Sequence, residues 1–174
     1  YKLLVGSGIR TLVHRALPAP YPNENEVDDC LSEMMQIYSE ICTTKTRPYD
    51  GMLEWLDALN FRILKLNILS NKDETLTKHV ADTILPKYFH HILGLTTEAL
   101  KKPNPVKALN ICDSFDVKAE EVIFVGDTNI DIQTAKNANM LAVGVSWGFR
   151  DKKELAEEGA NIILETPLDL LEIL

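Results

Sequence analysis

The sequence has few cysteines and no long apolar run, and each shortage excludes a class of protein. Its three cysteines, Cys30, Cys42 and Cys112, are odd in number and lie far apart, without the close spacing of zinc or redox pairs. Such cysteines are typical of free thiols in a reducing compartment. No apolar run approaches the length of a membrane span, and no Asn-x-Ser/Thr glycosylation site occurs. We therefore predict a cytoplasmic protein without a membrane partner.

Basic residues are also in short supply. The chain carries 18 Lys and Arg against 26 Asp and Glu, a formal net charge of −8, and the acidic residues are scattered along it. This balance argues against a nucleic-acid partner, and an anionic substrate would need a local cationic pocket. With 174 residues, 45% of them hydrophobic, the chain can bury a core of one domain or one and a half.

An initiator methionine is missing as well. The sequence starts at Tyr1 and enters an apolar pattern at once, without the layout of a signal peptide. We expect that further residues precede Tyr1.

The first part of the chain has the pattern of two helices. Apolar residues at helical spacing occupy 2–17, interrupted early by Gly6 and Gly8, and the proline-rich stretch 18–22 ends this helix. A second helix is predicted from about Asn25, with acidic residues near its start and one apolar face. The Gly-x-Gly pair could indicate a dinucleotide loop, but the absence of an adequate preceding strand and of the third glycine, with Thr11 in its place, argues against it. We expect the two helices to form a small subdomain.

From Tyr49 onward, helices and strands alternate, which is typical of a parallel sheet with crossover helices. The predicted fold class is therefore α/β. The predicted helices are 52–60, 74–85, 104–115, 130–138, 151–158 and 167–173, and the predicted strands are 63–69, 91–95, 122–126, 141–146 and 161–164.

Two polar motifs follow strands of this series. Ser70 and Asn71 offer a hydroxyl and backbone N–H groups at a strand end, which suits a phosphate oxygen but also suits ordinary helix capping. Lys102 precedes a Pro-x-Pro turn at 103–105, which would hold its side chain in place. The alternative is a solvated loop lysine.

A third motif follows the apolar strand 122–126. Asp127 lies at the strand end and Asp131 in the first turn of the next helix, so both carboxylates can converge on one hard cation. Alternatively, Asp127 is a turn residue and Asp131 caps the helix. A hydroxyl, a lysine and two carboxylates at successive strand ends are what metal-assisted phosphoryl transfer requires.

These motifs resemble a known family. Ser-Asn-Lys at 70–72, Lys-Pro-Asn-Pro at 102–105 and Gly-Asp-Thr-Asn-Ile-Asp at 126–131 are similar, in order and context, to the second, third and fourth motifs of haloacid dehalogenase-like (HAD) hydrolases. The likeness is strongest to the phosphoglycolate phosphatase branch. Supporting stretches lie at 5–10, 15–18, 47–51, 143–148 and 155–161. The resemblance implies a Rossmann-like HAD core at 47–174 that lacks its first strand, and a partial helical cap at 1–46.

The resemblance also implies a reaction. HAD phosphatases hydrolyse phosphate monoesters in two steps through an aspartyl-phosphate, with a second aspartate acting as acid and base. Ser70 would bind a phosphoryl oxygen, Asn71 would contribute its backbone N–H, and Lys102 would bridge nucleophile and phosphate.

The same resemblance implies a metal ion and a class of substrate. Asp127 would bind Mg²⁺, and Asp131 would bind the ion directly or through water. Arg15, in the cap, would contact a substrate carboxylate, unless it is an ordinary surface arginine. A small cap favours a small phosphorylated metabolite of the phosphoglycolate type over a macromolecule.

The first motif of the family, Asp-x-Asp-x-Thr on an N-terminal strand, has no match in the sequence. In the family this strand lies between the strands that end at Ser70 and Asp127, so its loss would leave a central gap in the sheet. Either a segment before Tyr1 or another chain fills the gap, or the chain is an inactive fragment or a regulatory binding protein. A phosphomutase or dehalogenase of the superfamily would share these motifs. A response-regulator receiver domain does not fit, because its acids come first and its lysine last.

Overall fold

A computed structural model describes residues 4–18 and 23–174 of the chain. The predictions for 1–3 and for most of the proline-rich break lie outside the described residues. Within them, helices alternate with parallel strands, as predicted. The helices are α1 Ile9–Ala16, α2 Glu24–Ile41, α3 Met52–Phe61, α4 Glu74–Ile84, α5 Val106–Phe115, α6 Asn129–Asn137 and α7 Lys152–Glu157, and the strands are β1 Asn67–Asp73, β2 His91–Leu95, β3 Ile123–Gly126, β4 Leu141–Val145 and β5 Ile162–Leu164.

The helices α1 and α2 pack against each other. Val13 of α1 and Val27 of α2 are both almost fully buried. A reciprocal capping box fixes the start of α2: Asn23 Oδ1 accepts a hydrogen bond from the N–H of Glu26, and Glu26 Oε2 accepts one from the N–H of Asn23. This box explains why the helix begins slightly before the predicted Asn25.

The five strands form two separate parallel sheets. One contains β1 and β2, and the other has the order β3-β4-β5. In β4, Ala142 packs with α5 and α6, while Val143 and Val145 pack with the opposite layer. Helices therefore cover both faces of this strand, as expected for a parallel sheet.

A groove of about 600 Å³ separates the two sheets. Residues of β1 and β3 line it, and neither strand has a partner on this side within the described ranges. Both strands are half-buried along most of their length, whereas four of the five residues of β4 are buried. The groove lies where the sequence analysis expects a missing strand. Apolar side chains on its walls include Leu59, Leu69, Ile111, Phe124, Val125 and Met140.

Two predicted elements differ from the structure. The strand predicted at 63–69 begins only at Asn67 and continues to Asp73, and Ile63 is 81% exposed with a left-handed φ of 60°. Residues 62–64 instead close the end of α3, where the N–H groups of Ile63 and Leu64 donate to the carbonyls of Asn60 and Leu59. The predicted closing helix is a 3₁₀ helix, Pro167–Glu172. None of the described helices combines the length and apolarity that a membrane crossing requires.

Candidate active site

Asn71 joins three segments at the carboxyl end of β1. The side chain is 6% exposed. Its Oδ1 accepts a hydrogen bond from the Lys102 N–H at 2.8 Å, and its Nδ2 donates to the carbonyls of Lys102 and Gly6. The sequence predicts a role only for the backbone N–H of Asn71, and the structure adds this positioning role for the side chain. Next to it, Ser70 Oγ accepts the N–H of Lys72 at 3.1 Å, which leaves the hydroxyl proton free to donate.

Lys102 is held in place by two hydrogen bonds from its ammonium. Nζ donates to Asp131 Oδ1 at 2.6 Å and to the Leu69 carbonyl at 2.9 Å. The side chains of Lys102 and Asp131 are only 10% and 9% exposed. The structure therefore rules out the alternative of a solvated loop lysine.

Asp131 serves two purposes at once. Its Oδ2 accepts hydrogen bonds from the N–H and the Oγ1 hydroxyl of Thr128, at 3.0 and 2.7 Å, and so caps α6. Its Oδ1 binds Lys102. The two interpretations of Asp131 from the sequence, a helix cap and a site carboxylate, are thus compatible.

Asp127 is a carboxylate in an unfavourable environment. Burial raises its pKa above the ordinary value, and the charge of Asp131 raises it further. The N–H of Phe149, which donates to Asp127 Oδ2 at 2.8 Å, and the ammonium of Lys102 act in the opposite direction. A cation beside Asp127 would offset the cost of burying its charge.

Two glycines leave room for these carboxylates. A Cβ on Gly148 would lie 2.1 Å from Asp127 Oδ2, and a Cβ on Gly126 would lie 2.1 Å from the Cβ of Asp131. Any side chain at either position would displace a site carboxylate.

Magnesium fits the oxygen ligands of this site. Mg²⁺ is usually bound by one or two carboxylates together with water and substrate phosphate. Asp127 and Asp131 supply two such groups, and no set of three or more His, Cys, Asp or Glu side chains in the described residues is placed to hold a metal ion.

Arg15 is not brought to this site. It lies on the exposed side of α1, and within the described residues it has no hydrogen bond or ion pair with Ser70, Asn71 or Lys102.

Sequence analysis did not identify three further residues at the site, Thr128, Gly148 and Phe149. Thr128 could have been found, because its spacing from Asp131 matches a capping box. The close approach of Gly148 and the N–H of Phe149 depend on a turn after β4 that has no local sequence pattern.

Comparison with known proteins identifies the family. Residues 6–145 match the sequence model of a protein family described as haloacid dehalogenase-like hydrolase. The chain belongs to this family. The family assignment predicted from the three motifs is therefore confirmed.

Individual HAD relatives are longer than this chain. It is 28% identical over 172 residues to phosphoglycolate phosphatase 1 of Pseudomonas aeruginosa, and the alignment covers 96% of this chain and 63% of that protein. It is 31% identical over 166 residues to phosphoglycolate phosphatase of Pseudomonas savastanoi pv. phaseolicola, covering 92% and 61%. The chain thus spans less than two thirds of each relative.

A solved structure of another protein has a fold similar to that of this chain. A candidate phosphoglycolate phosphatase from Lactobacillus delbrueckii subsp. bulgaricus superposes with a TM-score of 0.91 and 29% identity, covering 99% of this chain and 80% of that one. This similarity confirms the predicted HAD fold.

Proposed function

We propose that this HAD protein takes part in Mg²⁺-dependent hydrolysis of a small phosphate monoester of the phosphoglycolate type. The observation that carries the proposal is the partly buried cluster of Lys102, Asp131 and Asp127, in the loops and helix start that follow β2 and β3. Ligands bind at the carboxyl ends of the strands in open parallel sheets.

Three residues bind the phosphoryl group in this proposal. Ser70 donates its hydroxyl proton to one oxygen, and the backbone N–H of Asn71 donates to another. The ammonium of Lys102, already fixed against Asp131, neutralises the charge that develops on the oxygens in the transition state.

Asp127 would bind the metal ion, and Asp131, whose oxygens also accept from Lys102 and Thr128, would bind it directly or through water. Bound Mg²⁺ would supply positive charge that polarises the phosphoryl group. The raised pKa of Asp127 supports this assignment, because a ligand carboxylate that is costly to bury gains most from a cation.

The nucleophile comes from a strand that occupies the groove between β1 and β3. That strand would pair with both open edges, and its carboxyl end would lie beside Lys102. The same polypeptide or a second chain could supply it. An aspartate oxygen of that strand would form a bond to phosphorus as the ester P–O bond breaks, and the strand's second aspartate would give its proton to the leaving alcohol. The second aspartate would then take a proton from a water molecule that attacks phosphorus, which releases inorganic phosphate and restores the first aspartate.

The helices α1 and α2 act as a cap in this proposal, with 1–46 as the cap region and 47–174 as the core. A small closing cap excludes water and favours a small metabolite. The contact of Arg15 with substrate, implied by the family resemblance, is not part of this proposal, because the Arg15 side chain is exposed and has no described contact with Ser70, Asn71 or Lys102. A cytoplasmic location and the lack of a nucleic-acid partner remain predictions.

The test uses a form of the protein that carries an Asp-x-Asp-x-Thr strand. We expect it to release inorganic phosphate from 2-phosphoglycolate only with Mg²⁺, and Asp127→Asn to lower kcat/KM by about 100-fold or more. Asp82→Asn, at an exposed position of α4, is the matched control and should leave the rate unchanged. Full turnover in Asp127→Asn would refute the site. Formation of an isomeric phosphate ester from a sugar phosphate, without phosphate release, would favour a phosphomutase.

A further inference from the structure

Lys72 connects the cap helices to the edge of the active site. It follows Ser70 and Asn71 in β1, and its Nζ donates a hydrogen bond of 2.7 Å to the hydroxyl of Tyr38 on α2. The same Nζ lies 4.9 Å from the centroid of the Tyr38 ring. A cationic group therefore stands where cap and core meet, beside the proposed phosphate-binding residues.

The electrostatic environment of Lys72 is unusual in this chain. Four lysines in the described ranges are not exposed, and Lys72 alone among them has no carboxylate within 4.0 Å. A partly buried ammonium with only a neutral partner is poorly compensated. The other three are paired as Lys101–Glu98, Lys102–Asp131 and Lys107–Glu74.

Several hydrogen-bond donors are unused at this point. An ammonium has three N–H donors, and within the described residues only one donation by Lys72 is formed, to Tyr38. The Tyr38 hydroxyl accepts that bond and keeps its own proton, which forms no hydrogen bond within the described residues. Two N–H groups and one O–H group are therefore available together for an anion.

We propose that Lys72 and Tyr38 bind the second anionic group of the substrate, a carboxylate separated from the phosphate ester by one carbon. The assignment rests on the proposed function, which puts the phosphoryl group on Ser70, Asn71 and Lys102. It gives the acidic chain the local cationic pocket that an anionic substrate needs. It assigns to Lys72 and Tyr38 the carboxylate contact that the resemblance implies for Arg15, whose exposed side chain forms no hydrogen bond or ion pair with Ser70, Asn71 or Lys102 among the described residues.

A purely mechanical role for this contact makes a different prediction. If Lys72 only holds the cap helices against the core, its loss should lower kcat/KM equally for every phosphate ester. If it binds the substrate carboxylate, its loss should affect only esters that carry one. Two substrates of equal chain length separate these outcomes: 2-phosphoglycolate and ethyl phosphate, which has a methyl group in place of the carboxylate.

The experiment measures kcat/KM for both esters with Mg²⁺, in the form that carries the nucleophile strand. We expect Lys72→Met to lower kcat/KM for 2-phosphoglycolate by about 10- to 100-fold, mainly through KM, because charge-assisted hydrogen bonds are lost. Ethyl phosphate turnover should change by less than about 2-fold, the range expected where no contact is lost. Tyr38→Phe should lower 2-phosphoglycolate turnover by about 3- to 10-fold, since it removes one neutral donor.

Two further variants serve as controls. Lys45→Met removes an exposed lysine of the segment after α2, and Arg15→Met removes the rival candidate. Both should keep the wild-type preference between the two esters. Equal losses on both esters in Lys72→Met, or loss of preference in Arg15→Met alone, would overturn the proposal.

Binding gives a second readout that does not depend on turnover. Calorimetry with both esters and Mg²⁺, on a form whose nucleophile is Asn, should show tighter binding of 2-phosphoglycolate and loss of this preference in Lys72→Met. Such binding without any hydrolysis by the unaltered enzyme would refute the proposed function and leave this subsite standing. Hydrolysis with an unchanged preference in Lys72→Met would overturn the subsite alone.

Discussion

Replacing Lys102 with methionine tests whether the candidate site is rigidly held before any substrate binds. The substitution keeps most of the apolar side chain and removes the ammonium, which lies 2.6 Å from Asp131 and 2.9 Å from the Leu69 carbonyl. Removing one partner of a buried ion pair costs about 3–5 kcal/mol, because the remaining charge is left uncompensated. Asp131 keeps both hydrogen bonds from Thr128, so we expect the low end, a loss of about 3 kcal/mol in the free energy of unfolding.

Urea unfolding of matched variants measures this loss. Lys153→Met removes an exposed lysine that lies 3.8 Å from Glu157, with side chains 84% and 68% exposed, and should cost less than about 0.5 kcal/mol. The double variant Lys102→Met with Asp131→Asn should be less destabilised than the sum of the two single variants, because neither charge is then left alone.

The result that would refute this reasoning is a Lys102→Met variant no less stable than Lys153→Met. Additive losses in the double variant would likewise show that the two side chains do not interact in solution. Either outcome would mean that Lys102 is a mobile loop residue, and the phosphate-binding role proposed for it would lose its structural basis.

Three further predictions concern the metal ligand, its glycine neighbour and the groove. Because the pKa of Asp127 is raised on folding, the folded state binds more protons than the unfolded state between the two pKa values, so its contribution to stability falls as pH rises through that interval. Asp127→Asn should therefore raise the melting temperature without metal at neutral pH, and should abolish the stabilisation by Mg²⁺, about 1.4 kcal/mol at ten times Kd in wild type. Gly148→Ala should weaken Mg²⁺ binding in the same assay by displacing Asp127, whereas Gly144→Ala, whose added Cβ meets Leu155 at 3.2 Å and Ala160 at 3.5 Å and no site residue among its nearest neighbours, should not. The chain should bind an apolar fluorescent dye at its groove, and a form carrying the missing strand should bind less; equal binding would contradict an open groove.

Local patterns were sufficient to predict most of the elements. The predicted strand 122–126 starts one residue before β3 and ends with it, and the predicted helix 130–138 is shifted by one residue from α6, because a continuous apolar run and a capping residue mark them. The strand predicted at 63–69 starts late because residues 62–64 close the end of α3. The N–H groups of Ile63 and Leu64 donate to the carbonyls of Asn60 and Leu59, and Ile63 takes a left-handed φ of 60° that no strand can include.

The residues of the site were also predictable from the sequence, but their hydrogen-bond partners were not. The order of the motifs along the chain predicted Ser70, Lys102 and Asp127 as site residues. The hydrogen bonds between Asn71 and Lys102 and between Phe149 and Asp127 join positions 31 and 22 residues apart, and no local periodicity encodes such contacts. The pairing of Lys72 with Tyr38, 34 residues away, is of the same kind.

The position of Lys102 explains why stability and chemistry should be coupled at this site. The residue lies in the connection between β2 and α5, and its ammonium reaches Leu69 in the first sheet and Asp131 on the helix after β3 in the second. It therefore bridges the two sheets at the carboxyl end of a groove across which no backbone pairing exists in the described chain. A strand entering the groove would meet a lysine that is already fixed, so little reorganisation is needed to complete the site. Substitutions at Lys102 change folding and phosphate binding together, whereas Lys72→Met leaves this bridge intact and can report on substrate selection alone.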